Sequence, residues 1–188
     1  IETLFHALAR VRAARPQAPL RLTLAGGSAP ELTFAGGGGY LAQLQALAAR
    51  LGIEQCLHWQ LDLPAEQIVG CIQSHQVMVL PYRQSWRIGL LGRMQGTSGA
   101  LSWASACGRG VIATDTRSFA EELSHGNGCV VGQDDSAAMA AAIEGLLDAP
   151  DLAAAWASQA QALGQQRRWD VVAGQFAALF AQLQENGR

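Results

Sequence analysis

The sequence predicts an α/β fold, a parallel sheet with helices on both faces. Three observations carry that prediction. Short apolar segments alternate strictly with longer ones whose apolar residues recur every three to four positions. The short segments, such as GVIATD and GCVVG, are apolar throughout, as strands buried on both faces are. Proline, glycine and small polar residues punctuate the junctions. Together these specify a layered fold of five strands rather than a bundle or a sandwich.

Each element can be justified in turn. Glu2 to Arg15 sets Leu4, Phe5, Leu8 and Val11 on one helix face, and Pro16 and Pro19 end it. Leu20 to Ala25 alternates as a strand. Gly26 to Gly39 is a glycine-loaded loop. Its run Gly36-Gly37-Gly38-Gly39 is no dinucleotide fingerprint, because no strand immediately precedes it and no acid follows the next strand. Tyr40 to Leu51 is a helix closed by Gly52. Cys56 to Gln60 is a short strand. Asp62 as N-cap and Pro64 in the first turn open a helix to about Ser74.

Gln76 to Tyr82 is a buried strand, and Arg83 to Gly96 a loop or short irregular helix. Ser98 to Cys107 is helical, Gly110 to Asp115 a strand and Ser118 to Ser124 a short helix. Gly128 to Gly132 is the last strand. Asp134-Asp135-Ser136 caps a helix over Ala137 to Leu147, and helices over Asp151 to Leu163 and Asp170 to Leu183 follow. The sequence opens inside a helix. The expectation is one domain over residues 1–188, cut from a longer two-domain chain, with the sheet's first strand missing and a closing helix at 167–186.

Composition narrows the function classes. Of 188 residues, 49% are hydrophobic and 15% charged, a globular profile. A formal net charge of -2 argues against a broad nucleic-acid surface. All 13 basic residues are arginine, so lysine Schiff-base chemistry is excluded within the chain. Cys56, Cys71, Cys107 and Cys129 form no CxxC pair and read as buried reduced thiols. No run of apolar residues is long enough to span a membrane, and no signal peptide is visible. A soluble, cytoplasmic protein is expected. His6, His58, His75 and His125 show no metal spacing, and no metal is expected.

In open parallel sheets, ligands sit at the strands' carboxyl ends, where helix N-termini point. Gly26-Gly27, Gln60-Leu61, Tyr82 to Gly99 and Asp115 fall there. Within them, Gln95-Gly96-Thr97-Ser98-Gly99 opens a helix. A helix start offers unpaired N–H groups and about half a positive charge; Gly96 and Gly99 let backbone approach an anion closely. Thr97 and Ser98 add hydroxyl donors. The competing reading is an ordinary helix start with Ser98 as N-cap, and on the stretch alone that reading is the stronger. Arg83, Arg87 and Arg93 crowd the preceding loop and either neutralise phosphate or form a solvated basic loop. Arg93 is nearest the cradle in sequence.

The order AGG, LGI, LHW, LPAEQI, VMVLPY, TSGALSWASACGRGVIATD, FAEEL, GNGCVVG and DDSAAMAAAIEGLL resembles a known family. It looks like the C-terminal, Rossmann-like half of a GT-B glycosyltransferase of the retaining group 1 family, family 4. Gln95-Gly96-Thr97-Ser98-Gly99 is similar to a Gln-x-Thr-Ser-Gly branch. The resemblance implies binding of a nucleoside-diphosphate sugar for transfer to a glycan, lipid-linked or other acceptor, with no cofactor. It implies a diphosphate site at Arg93, Gln95, Gly96, Thr97, Ser98 and Gly99, and shifts the balance there from cap to cradle. The nucleotide and ribose would then lie near Gly26, Gly27, Trp59, Gln60, Tyr82, Glu121 and Glu122.

Two glutamates usual in the family read Gln95 and Trp103 here. The second usually holds the donor ribose, so Trp103 puts that contact in doubt, and Glu121 or Glu122 would have to cover it. Bland alternatives stand beside these: Trp59 as core packing, Glu121 and Glu122 as a solvated helix face. The partners implied are the donor and a missing N-terminal acceptor domain, with peripheral membrane association of a bacterial full-length protein compatible. The fragment alone would not turn over. The alternative function is a degenerate, non-catalytic scaffold or interaction domain.

Overall fold

A computed structural model describes residues 1–27, 39–83 and 98–186. Helix α1 (Glu2–Ala14) leads to strand β1 (Leu22–Gly26). Then come α2 (Gly39–Leu51), a 3-10 turn (Glu54–Cys56), β2 (Leu57–Leu61), α3 (Ala65–Gln73) and β3 (Val77–Leu80). They are followed by α4 (Gly99–Ala106), β4 (Gly110–Thr114), α5 (Arg117–Glu122) and β5 (Gly128–Val131). Helices α6 (Ser136–Asp148), α7 (Pro150–Gln166) and α8 (Trp169–Asn186) close the described chain.

All strand pairs are parallel, as expected. They form two ladders among the described residues: β1 beside β2, and β3, β4 and β5 in that order. The inner edges of β1 and β3 carry no ladder to each other. Helix α1 bridges them. Its Leu4, Ala7 and Val11 pack with Ile112, Val131 and Met139, while its Phe5 and Leu8 pack with Leu44, Leu47 and Ile53. On the other face, Leu101 and Ala104 of α4 pack with Val111, Ala113, Phe119 and Leu123. Alternation along β4 sends Ile112 to one face and its neighbours to the other, and the whole strand is buried.

Gly52 stops α2 as expected, in the left-handed region at φ 65. The Ile53 N–H reaches the Ala48 carbonyl at 3.1 Å and the Gly52 N–H the Ala49 carbonyl at 3.1 Å, the paired bonds of a Schellman cap. Asp135 caps α6 by accepting from the N–H groups of Ala137 and Ala138. One expected cap is corrected. Asp62 does not begin α3; it adopts φ 54, and Pro64 occupies the N-cap position. The Asp62 N–H extends the ladder instead, bonding the Gly26 carbonyl at 2.8 Å.

Helix α7 crosses the amino-terminal end of β4, burying Trp156, Ala160 and Leu163. Helix α8 stands apart. Trp169 is 88% exposed, and Phe176, Leu179, Phe180 and Leu183 are exposed with it.

Candidate functional site

The carboxyl ends of β3, β4 and β5 are tied together by polar contacts. Thr114, buried at the end of β4, donates its hydroxyl to the Tyr82 carbonyl at 2.5 Å. That bond fixes the segment leaving β3. The Tyr82 ring rests on Phe119, with centroids 5.3 Å apart, and its hydroxyl lies 3.0 Å from Ser98 Oγ. Gln133, just past β5, donates to the Asp115 carbonyl at 2.5 Å, which binds the ends of β4 and β5.

Ser98 therefore sits at the N-cap of α4 without capping it by its side chain. Its carbonyl accepts from Leu101 and Ser102. The Gly99 and Ala100 N–H groups have no acceptor among the described residues. A Cβ added at Gly99 would meet no atom of the described residues within 4 Å. Among the described residues, the helix start thus presents unpaired backbone donors with a partial positive charge at the strand ends. An anion there would complete the helix's own unsatisfied bonds.

The other expected residues divide. Gly26 and Gly27 end β1, exposed, and a Cβ on Gly27 would lie 3.8 Å from Asp62 Oδ1. Sequence reasoning placed Asp62 as a cap and so missed it at this end of the sheet. Trp59 is half-buried and packs edge-on to Phe5 at 6.2 Å, which is core packing. Gln60 accepts from the Cys71 thiol at 3.1 Å, on the side of α3. Trp103 is 43% exposed on α4.

Glu122 lies apart from these. Its carbonyl accepts from Asn127, whose own carbonyl accepts from Val111 near the start of β4. Glu122 therefore lies toward the amino-terminal end of the sheet, where its carboxylate pairs with Arg167. It does not share an end with Ser98. Glu121, its exposed neighbour, accepts from Ser124 through its carbonyl at 2.7 Å. Arg87, Arg93, Gln95, Gly96 and Thr97 lie outside the described residues.

Of the three loop arginines, Arg83 lies among the described residues, and its sequence position gives no reason to prefer it to Arg93. It leaves β3 and pairs with Asp134 at 2.9 Å. Among the described residues, no three His, Cys, Asp or Glu side chains converge as a metal site requires. No described helix is long and apolar enough to cross a membrane. Burial pushes the thiols of Cys107 and Cys129 up, the former partly offset by Arg109.

The fold is a parallel α/β domain of the Rossmann-like kind, with its polar cluster where such domains hold ligands. The chain belongs to the family of group 1 glycosyl transferases, whose model matches residues 1–149. It is 28% identical over 188 residues to a D-inositol 3-phosphate glycosyltransferase of Corynebacterium jeikeium (strain K411), covering 99% of this chain and 41% of that one. Two solved structures share its fold. One is the sucrose-phosphate synthase of Thermosynechococcus elongatus, with TM-score 0.68, 22% identity, and 98% of this chain covered against 43% of that one. The other is Anabaena HepE in complex with UDP, with TM-score 0.73, 21% identity, and coverage of 96% and 44%. The chain thus spans less than half the length of these relatives.

Proposed function

We propose that this chain is the donor-binding half of a glycosyltransferase. It holds a nucleoside-diphosphate sugar at the carboxyl ends of β3 and β4, with the diphosphate against the start of α4. The observation that carries this reading is the turned cap. The Ser98 hydroxyl is engaged with that of Tyr82, and the Gly99 and Ala100 N–H groups have no acceptor among the described residues at the carboxyl end of the sheet. Family membership and a fold shared with a UDP-bound protein support the same reading. The sequence-level cradle Gly96-Thr97-Ser98-Gly99, with Gln95 and Arg93, extends it. The acceptor is bound by residues beyond these, so the chain alone shows no turnover.

Chemically, such a half positions the donor and stabilises the departing diphosphate electrostatically. Open N–H groups and guanidinium donors can do that without acid–base chemistry. A second reading, a scaffold that has lost donor binding, is favoured by Trp103 in place of an acid and by Glu122 being paired elsewhere. Amide NMR titration with UDP, GDP and ADP separately decides between them. Saturable shifts at Ser98, Gly99 and Ala100 with one nucleotide are expected. A folded chain whose α4 amides move with none of the three would overturn donor binding.

A further inference from the structure

We propose that Arg83 is an anion-binding residue of this cleft, and that Asp134 is the positioning residue that aims it. The inference deepens the donor-binding reading and rests on it. Arg83 follows Tyr82 directly, and Tyr82 touches the N-cap of α4. Arg83 thus leaves the same strand end that the open helix start faces. Its guanidinium is engaged from one side only. Nε donates to Asp134 Oδ2 at 3.0 Å and Nη2 lies 2.9 Å from the same oxygen. Nη1 and the outer edge of the fork have no acceptor among the described residues, and the side chain is 77% exposed. An arginine held at its Nε side keeps a pair of parallel N–H donors for a bidentate oxyanion.

The holding group is itself fixed. Asp134 lies in the turn between β5 and α6 at φ 57, a left-handed conformation that aspartate and asparagine tolerate better than most residues. Its second oxygen is 3.4 Å from the Thr3 hydroxyl at the start of α1. The next residue, Asp135, caps α6, so the two adjacent acids have separate roles. Stability does not account for the Arg83–Asp134 pair, because both partners are largely solvated and such pairs contribute little. Location separates it from three other paired arginines. Arg15 with Asp148, Arg109 with the Gln73 carbonyl and Arg167 with Glu122 all lie at the opposite end of the sheet.

Calorimetric titration of this chain with UDP, GDP and ADP, and with the three matching nucleosides, tests the proposal. For whichever diphosphate the unmutated chain binds, Arg83→Gln weakens binding about tenfold and leaves the nucleoside unchanged. Arg83→Lys keeps the charge without the fork and rescues only part of the loss. Asp134→Asn keeps an oxygen for Nε and removes a negative charge near the anion, so it binds at least as tightly as the original. Asp134→Gly suits φ 57 but removes the acceptor; it weakens the diphosphate about threefold, and adds nothing in the Arg83→Gln background. If the unmutated chain binds a diphosphate and Arg83→Gln binds it equally, the inference falls and donor binding stands. Equal losses for nucleoside and diphosphate would also overturn it. If the unmutated chain binds none of the diphosphates, the functional reading falls and takes the inference with it.

Discussion

The two ends of the sheet use glycine for opposite reasons. At the amino-terminal end Gly110, Gly128 and Gly164 leave no room for a side chain. A Cβ on Gly128 would lie 2.1 Å from the Val111 carbonyl oxygen, one on Gly164 2.6 Å from the Ser105 carbonyl oxygen, and one on Gly110 2.5 Å from Trp156 Cβ. At the carboxyl end, a Cβ on Gly26 or Gly99 would meet no atom of the described residues within 4 Å. Neither shows a positive φ. Packing therefore explains the first set and leaves the second unexplained. What the second set does provide is bare backbone at the place where the fold offers N–H groups to a ligand. One end is built for close approach of the protein to itself; on the proposed reading, the other leaves room for a ligand.

The largest effect is expected from Gly128→Ala. The clash is with backbone, which cannot swing aside, so the substitution should cost about 3 kcal/mol, the upper end of overpacking losses. Urea unfolding monitored by circular dichroism measures it. A loss under about 1 kcal/mol would mean that β5 shifts to accommodate the methyl group, and the contrast between the ends would weaken. Next is Thr114→Val, which keeps shape but removes the hydroxyl held on Tyr82. It should destabilise by about 1 kcal/mol, and it should broaden or shift the Tyr82 and Ser98 signals. An unchanged carboxyl end would show that the strand end is fixed by other contacts.

Much of this architecture was legible in the sequence, for identifiable reasons. The strands declared themselves because β3, β4 and β5 are buried or half-buried along their whole length, so every position had to be apolar or small. Gly52 was legible because a helix stop needs a left-handed residue. Asp62 misled because Asp followed by Pro two residues on has the look of a helix start, and nothing local reveals that its backbone instead extends the β1–β2 ladder. The placement of Glu122 was hidden for a different reason. Sequence spacing put it one short helix beyond a strand's carboxyl end, and a short helix is long enough to carry it most of the way back down the sheet. The Arg83–Asp134 pair joins residues far apart in the chain, which no local pattern predicts.

A smaller effect is expected in acid. The Arg15 guanidinium, bonded to Asp148 through both oxygens, holds that carboxyl below its ordinary value. A depressed folded pKa contributes stability above the unfolded pKa and loses it as pH falls through the folded one. Both groups are solvent-exposed, so the acid limb of the stability curve should differ only slightly between the original chain and Asp148→Asn, with the difference vanishing at low pH. A difference that grew as pH fell would contradict the assignment. Helix α8 marks the opposite extreme from β4. Replacing Phe176 and Phe180 with serine should leave the unfolding free energy within about 0.5 kcal/mol, because neither is buried. A larger loss would show that α8 packs on the body in solution.

The least disturbance to stability should come from Gly99→Ala, and that is what makes it the sharpest test of the comparison. The methyl group would enter open space at the first position of α4, where alanine is at least as good a helix former as glycine. Stability should stay within about 0.5 kcal/mol of the original or rise slightly. The same substitution at Gly128 is the one expected to destabilise most, so the chemistry of the change is held constant and only the end of the sheet differs. If the carboxyl-end glycine serves a bound diphosphate, the added methyl group stands where oxygens must approach the Gly99 and Ala100 N–H groups. Affinity for the nucleoside diphosphate should fall severalfold while the fold is untouched. An alanine there that altered neither stability nor binding would leave Gly99 as an ordinary helix start, and the burden of holding the anion would pass to Arg83 and to the residues just before Ser98.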